Sequence, residues 1–255
     1  MTWTELLLVA LAGGGAGLIN AVVGSGTLIT FPTLLALGVP PVVANVSNSI
    51  GLAPGNLSAA LASRPDLVGQ RSRILRYGLA SLIGSIIGAL LLLWLPSSAF
   101  DAIVPVLIGL GCVLVIIGPW LSRRVMARRE RLGIAAGPAD GPPWLFVVII
   151  LTGMYGGYFG AAQGVLVMAI MGVALADTMA RLNGLKNVLV MIANGVAGVV
   201  FVLVSEVNWE IVLAIAVGSV LGAQVGARIG RKLPPVVYRT VIVIVGVVAV
   251  IALLR

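Results

Sequence analysis

Ten apolar runs divide this chain of 255 residues, at about 5–23, 26–38, 42–62, 77–95, 101–121, 144–161, 164–176, 184–204, 211–229 and 238–254. A helix needs about 20 apolar residues to cross the hydrocarbon core of a bilayer, and several of these runs reach that length. Hydrophobic residues make up 60% of the chain and charged residues only 9%, with a mean hydropathy of +1.17. A water-soluble domain carries roughly 25% charged residues, so this chain has too little polar surface to cover a globule. It takes lipid as its solvent. Backbone in hydrocarbon must satisfy its own hydrogen bonds, so the expected fold is all-α: a polytopic membrane helix bundle, multi-pass in the cell's inner membrane. The runs at 26–38 and 164–176 are short and glycine-rich at their margins, and they read as broken or re-entrant helices.

Charge orients the bundle. Thirteen of the 16 basic residues lie in three loops: 63–76 (Arg64, Arg71, Arg73, Arg76), 122–143 (Arg123, Arg124, Arg128, Arg129, Arg131) and 228–239 (Arg228, Arg231, Lys232, Arg239). The positive-inside rule places these loops in the cytoplasm. Loops 96–100 and 205–210 carry no basic residue, and the second holds Glu206 and Glu210, so both belong outside. This walk puts both termini outside. The net charge of +8 is thereby accounted for without nucleic acid, and no aromatic residues interleave with the arginines to stack bases.

The two halves resemble each other. "IGSIIGA" at 83–89 matches "VGSVLGA" at 217–223, and "VLIGLGCVLVI" at 106–116 lines up with "VIVIVGVVAVI" at 241–251. Asn45, Asn48 and Asn56 align with Asn183, Lys186 and Asn194 at one constant spacing, and glycine-rich stretches recur at 17–29 and 153–166. The organisation expected is a first transmembrane repeat over 1–121, a cytoplasmic linker over 122–143 that is basic and then Gly/Pro-rich, and a second repeat over 144–255. Equivalent loops carry opposite charge character: 63–76 is basic where 205–210 is acidic, and 96–100 is uncharged where 228–239 is basic. That requires an odd number of segments in each half, five by this count, and an inverted-topology repeat. Secondary transporters use such repeats, with the substrate site where discontinuous helices of the two halves meet.

The strings "GLINAVVGSGTLITFPTLL" with "VANVSNSIG", and "GMYGGYFGAAQGVLVMAIM" with "NGLKNVLVMIANGVAGVVF", resemble the two halves of the sulfite exporter TauE/SafE family over roughly residues 10–254. The resemblance implies a permease for sulfite, sulfonates such as sulfoacetate, or related sulfur and carboxylate anions.

Lys186 is the sharpest site candidate, one of only two lysines and the only one in the paired segments. An ionisable group inside a span is a functional hypothesis by default, and a cation is what an oxyanion needs. The competing reading is that Lys186 sits near the cytoplasmic end of its helix and snorkels to the headgroups. Asn20, Asn45, Asn48, Asn56, Asn183, Asn187 and Asn194 offer amide donors and acceptors, either to a hydrated anion or to neighbouring helices. Ser25, Thr27 and Gln163 flank glycines that can break a helix and expose N–H groups to an anion. Gly218, Gly222, Gly226 and Gly230, with Gly84 and Gly88, read as helix-packing faces.

The expected function is a secondary transporter exporting a small sulfur-containing anion such as sulfite or an organosulfonate, with an anion channel or uniporter as the alternative. The chain has no histidine, and its single cysteine, Cys112, lies in an apolar run. Metal or thiol chemistry therefore has little to work with. No enzyme activity, cofactor or metal is expected. No carboxylate falls mid-span to relay protons. The expected partners are a small anionic substrate and the lipid bilayer, with a homo-oligomer left open.

Overall fold

The computed structural model describes residues 1–131, 140–229 and 235–253. Residues 132–139 of the linker, 230–234 (with Gly230, Arg231 and Lys232) and 254–255 lie outside the described residues. The described chain forms ten α-helices: α1 (Trp3–Val22), α2 (Thr27–Ala36), α3 (Pro41–Ala62), α4 (Arg71–Trp94), α5 (Ser97–Arg131), α6 (Pro143–Tyr158), α7 (Gln163–Ala174), α8 (Met179–Val204), α9 (Trp209–Ile229) and α10 (Pro235–Leu253). A short 3₁₀ turn (Arg64–Leu67) links α3 to α4, and no strand occurs among the described residues. The protein is a multi-pass membrane helix bundle.

Among the described residues five helices are long and apolar enough to cross a membrane, namely α1, α4, the Ser97–Gly118 part of α5, α8 and α9. α3 has 22 residues but carries Asn45, Ser47, Asn48, Ser49, Asn56 and Ser58 on buried positions, which lowers its hydropathy. That polarity is affordable only because α3 is enclosed by other helices. The short helices α2 and α7, 10 and 12 residues long, reach about 15–18 Å, roughly half of a hydrocarbon core of about 30 Å.

The halves interlock rather than stand side by side. α1 packs on α9, and α6 on α4. α3 packs on α9, and α8 on α4. α5 packs on α7, and α10 on α2. α3 meets α8, and α5 meets α10. Exchanging the first five helices for the last five leaves this pattern unchanged.

Residue-level bonds repeat it. Ser81 Oγ donates to the Leu189 carbonyl at 3.0 Å, and Ser219 Oγ to the Gly51 carbonyl at 3.1 Å. Ser81 and Ser219, and Gly51 and Leu189, are each 138 residues apart, as are Asn45 and Asn183, Asn48 and Lys186, and Asn56 and Asn194. The structure thus sets Gly84 against Gly222, one helical turn along from the "IGSIIGA"/"VGSVLGA" match. A string with small residues every four positions looks alike when shifted by a turn, so the letters could not choose the register.

Glycines make this interlock possible. A Cβ on Gly13 would lie 2.9 Å from the Ile215 carbonyl oxygen, and one on Gly153 would lie 2.8 Å from that of Ser81. Gly84 and Gly88 likewise abut the α6 backbone, and Gly218, Gly222 and Gly226 abut that of α1, as small-residue packing faces do.

Charges tie one end of the bundle. Arg73 Nη1 on α4 lies 2.5 Å from Asp177 Oδ2 in the α7–α8 connection, and Arg181 Nε lies 2.8 Å from Oδ1. Buried Gln70 donates to the carbonyls of Asp66 (2.9 Å) and Arg181 (3.1 Å), and Arg181 donates to that of Val68 (2.8 Å). Positions 138 residues from Arg73 and Asp177 are Ile211 and Val39, which share an apolar cluster. One pair is ionic, and its counterpart positions are apolar.

Candidate functional site

The site is built where α1 stops. Gly24 turns left-handed (φ +83°), and its N–H bonds to the Ile19 carbonyl at 3.1 Å. Gly160 does the same after α6, with φ +75° and a 3.0 Å bond to Tyr155. Glycine adopts this conformation without the Cβ clash that other residues meet. The chain then re-enters helix at α2 and at α7. The two breaks touch: the Gly164 N–H donates to the Gly24 carbonyl at 3.0 Å, and a Cβ on either glycine would lie 2.5 Å from the other's Cα. Ala162, just before α7, also holds a left-handed conformation (φ 59°) although it has a Cβ. Such a position costs of order 1–3 kcal/mol and marks places that the surroundings over-determine.

A helix that stops leaves its last carbonyls without intrahelical donors. Side chains of the other half supply them. Lys186 Nζ on α8 donates to the Asn20 carbonyl at 3.0 Å, and the amides of Asn183 and Asn187 reach that of Ala21 at 3.4 and 3.5 Å. In mirror fashion, Asn45 on α3 donates to the Tyr158 carbonyl that ends α6, at 2.9 Å. Lys186 is 0% exposed, so it does not snorkel. Met1–Glu210, Arg73–Asp177 and Arg181–Asp177 are ion-paired among the described residues, and none of these pairs involves Lys186.

On the first-half side Asn20 is the hub. Its Oδ1 accepts the Gly26 N–H at 2.6 Å, and its Nδ2 donates to Asn56 Oδ1 at 3.0 Å. Asn48 donates to Thr27 Oγ1 at 3.3 Å and accepts from the Thr30 hydroxyl. The structure therefore gathers Asn20, Thr27, Asn48, Asn56, Lys186, Asn183 and Asn187 around the α1–α2 break.

Ser25 lies inside the break. Gln163 opens α7 just after the second break, its amide filling the space that Gly156 leaves. Asn194 is not drawn in, since its amide bonds to Val190 one turn back on its own helix, at 3.1 Å. Thr30, Ser63 (a 2.9 Å acceptor for Asn187) and Tyr158 belong to the network but were not singled out in the sequence. Thr30 lies one turn beyond Thr27, the only spacing cue among them. Several buried polar atoms have no partner among the described residues: Ser25 Oγ, Asn56 Nδ2, Ser47 Oγ and the free oxygens of Asn45, Gln163 and Asn183. Native structures rarely leave such groups unmet without reason.

A cavity of about 360 Å³ approaches from the end that carries loop 63–76. It is lined by Ala21, Ser63, Met179, Asn183, Asn187 and Gly226, among others, and it abuts the cap over α1. A larger groove of about 860 Å³ between α3, α4 and α8 is lined by apolar residues and offers no side-chain hydrogen bond.

The profile of the family "Sulfite exporter TauE/SafE" matches residues 9–253. This chain belongs to that family. It is similar to the "Probable membrane transporter protein YfcA" of Escherichia coli K12, 27% identical over 207 residues, which cover 81% of this chain and 73% of the relative. It also resembles a "Probable membrane transporter protein" of Haemophilus influenzae, 26% identical over 81% of this chain and 77% of the relative. A third is the "Probable membrane transporter protein ORF9" of a Sinorhizobium species, at 29% identity over 81% and 76%. No solved structure matches the chain. TauE/SafE membership and these bacterial relatives make the protein a membrane transporter rather than an enzyme.

Proposed function

We propose that this TauE/SafE protein exports a small sulfur-containing anion such as sulfite or an organosulfonate, by alternating access between two inverted repeats. One observation carries the reading: Lys186, fully buried, with no carboxylate partner among the described ion pairs. A buried charge is costly unless it is paired. The Asn20 carbonyl and the partial negative end of α1 compensate it only in part. An anion completes the balance.

The donors it would meet are the remaining N–H groups of Lys186 and the unpartnered Asn56 Nδ2 and Ser25 Oγ. Amide donors and one cation bind an oxyanion without caging it, as release requires. The cavity at Asn183 and Asn187 is the approach from the basic, cytoplasmic end. The Arg73–Asp177 pair ties α4 to the α7–α8 connection beside that approach, and rocking of the interlocked halves would open one end as the other shuts.

Flux tests the reading. The purified protein in proteoliposomes is expected to move at least one of sulfite, thiosulfate or sulfoacetate saturably, and to discriminate against zwitterionic taurine. Flux no greater than in protein-free liposomes for every anion tried would overturn it.

A further inference from the structure

The two helix ends at the site are capped differently. The Tyr158 carbonyl that closes α6 receives an amide, from Asn45. The carbonyls of Asn20 and Ala21 that close α1 receive a cation and two amides, from Lys186, Asn183 and Asn187. The residue 138 positions before Lys186 is Asn48, which turns to Thr27 and Thr30 instead. Only one of the two related helix ends holds a charge.

Unwound helix ends near the middle of a transporter are places where backbone carbonyls and the negative end of the dipole attract a monovalent cation. Oxygen groups gather here: the Asn20 and Ala21 carbonyls, Ser63 Oγ beside Asn187, and Asn183 Oδ1, which has no partner among the described residues. We propose that the carbonyl end of α1 is a monovalent-cation site whose cation is built into the chain: the Lys186 ammonium takes the place that a sodium or potassium ion would fill. At this site transport therefore calls on neither metal ion. Removing the ammonium exposes a site that a small free cation can enter. This goes beyond the anion reading and holds whichever solute moves.

The test is thermal melting of the purified protein in detergent at constant ionic strength, with sodium, potassium, ethylammonium or bulky N-methylglucamine as the chloride salt. Wild-type melting is expected to be the same in all four. Lys186→Ala is expected to melt lower in N-methylglucamine, and to regain about 5 °C or more in ethylammonium or in one of the metal ions at concentrations well above its Kd. If the alanine variant is too unstable to purify, its recovery by solubilising in ethylammonium is the same result. A wild-type protein that sodium or potassium stabilises, or an alanine variant that none of the three small cations restores, overturns the inference. Melting involves no substrate, so a failure of anion flux would leave this result standing.

Discussion

Gly164 donates its N–H to the carbonyl of Gly24 at 3.0 Å, and the α-carbons are so close that a methyl group on either would strike the other. The breaks of both halves are fused at this contact, and the polar site is organised around it. Gly164→Ala has only backbone to push against. It is expected to cost about 1–3 kcal/mol, seen as a fall of several degrees in melting temperature. Gly172→Ala, on the same helix α7, meets nothing within 4 Å and is expected to stabilise by roughly 0.5–1 kcal/mol. Equal effects of the two variants would show that the contact does not hold the halves together.

The asparagines divide into those that build the site and one that does not. Asn20→Ala strands the buried Gly26 N–H and removes the donor to Asn56. Each unmet buried group costs about 1–3 kcal/mol. Asn194→Ala loses one bond to its own helix and is expected to cost less than about 1.5 kcal/mol. Denaturation of the two variants side by side measures this, and the reverse ranking would contradict the network described.

Asp177 gives its pairs with Arg73 and Arg181 a pH signature. Burial pushes its carboxyl up, but hydrogen bonds from Arg181, the Thr178 N–H and Arg73 outweigh this and hold it below its ordinary value. A carboxyl depressed in the folded state contributes its full stability above the ordinary carboxylate range and loses it as pH falls through the depressed value. The melting difference between wild type and Asp177→Asn is therefore expected to be constant near pH 7 and to shrink toward the acid end of a series from about pH 6 to 3, once pH drops below the ordinary carboxylate value. A difference unchanged at the acid end would mean that the pair contributes nothing electrostatic.

The bundle was legible in the letters because hydropathy is the dominant force on such a chain. The apolar runs locate all ten helices. They miss helix ends where polar residues are good helix formers: α4 starts at Arg71 rather than 77, and α5 continues to Arg131 through its arginines. Hydropathy marks lipid contact, and helix continues where lipid stops.

The site was half legible. The constant spacing of Asn45, Asn48 and Asn56 from Asn183, Lys186 and Asn194 exposed the paired segments. Which partner each side chain takes depends on how two broken helices approach, and no local pattern encodes that. Asn56 finds Asn20 on α1, whereas Asn194 has no counterpart there, and position 156 of the shortened α6 is a glycine.

In the proposed mechanism the Lys186 ammonium, buried at the meeting of the halves with no carboxylate partner among the described ion pairs, holds the transported anion. The most direct measurement is the initial rate of sulfite or sulfoacetate flux in proteoliposomes for wild type and Lys186→Gln, each confirmed folded by melting. A rate lower by about 10- to 100-fold is predicted, as for the loss of one charge-assisted hydrogen bond of about 1.5–3 kcal/mol. A folded Lys186→Gln protein that moves the anion at the wild-type rate and with the wild-type KM would contradict it.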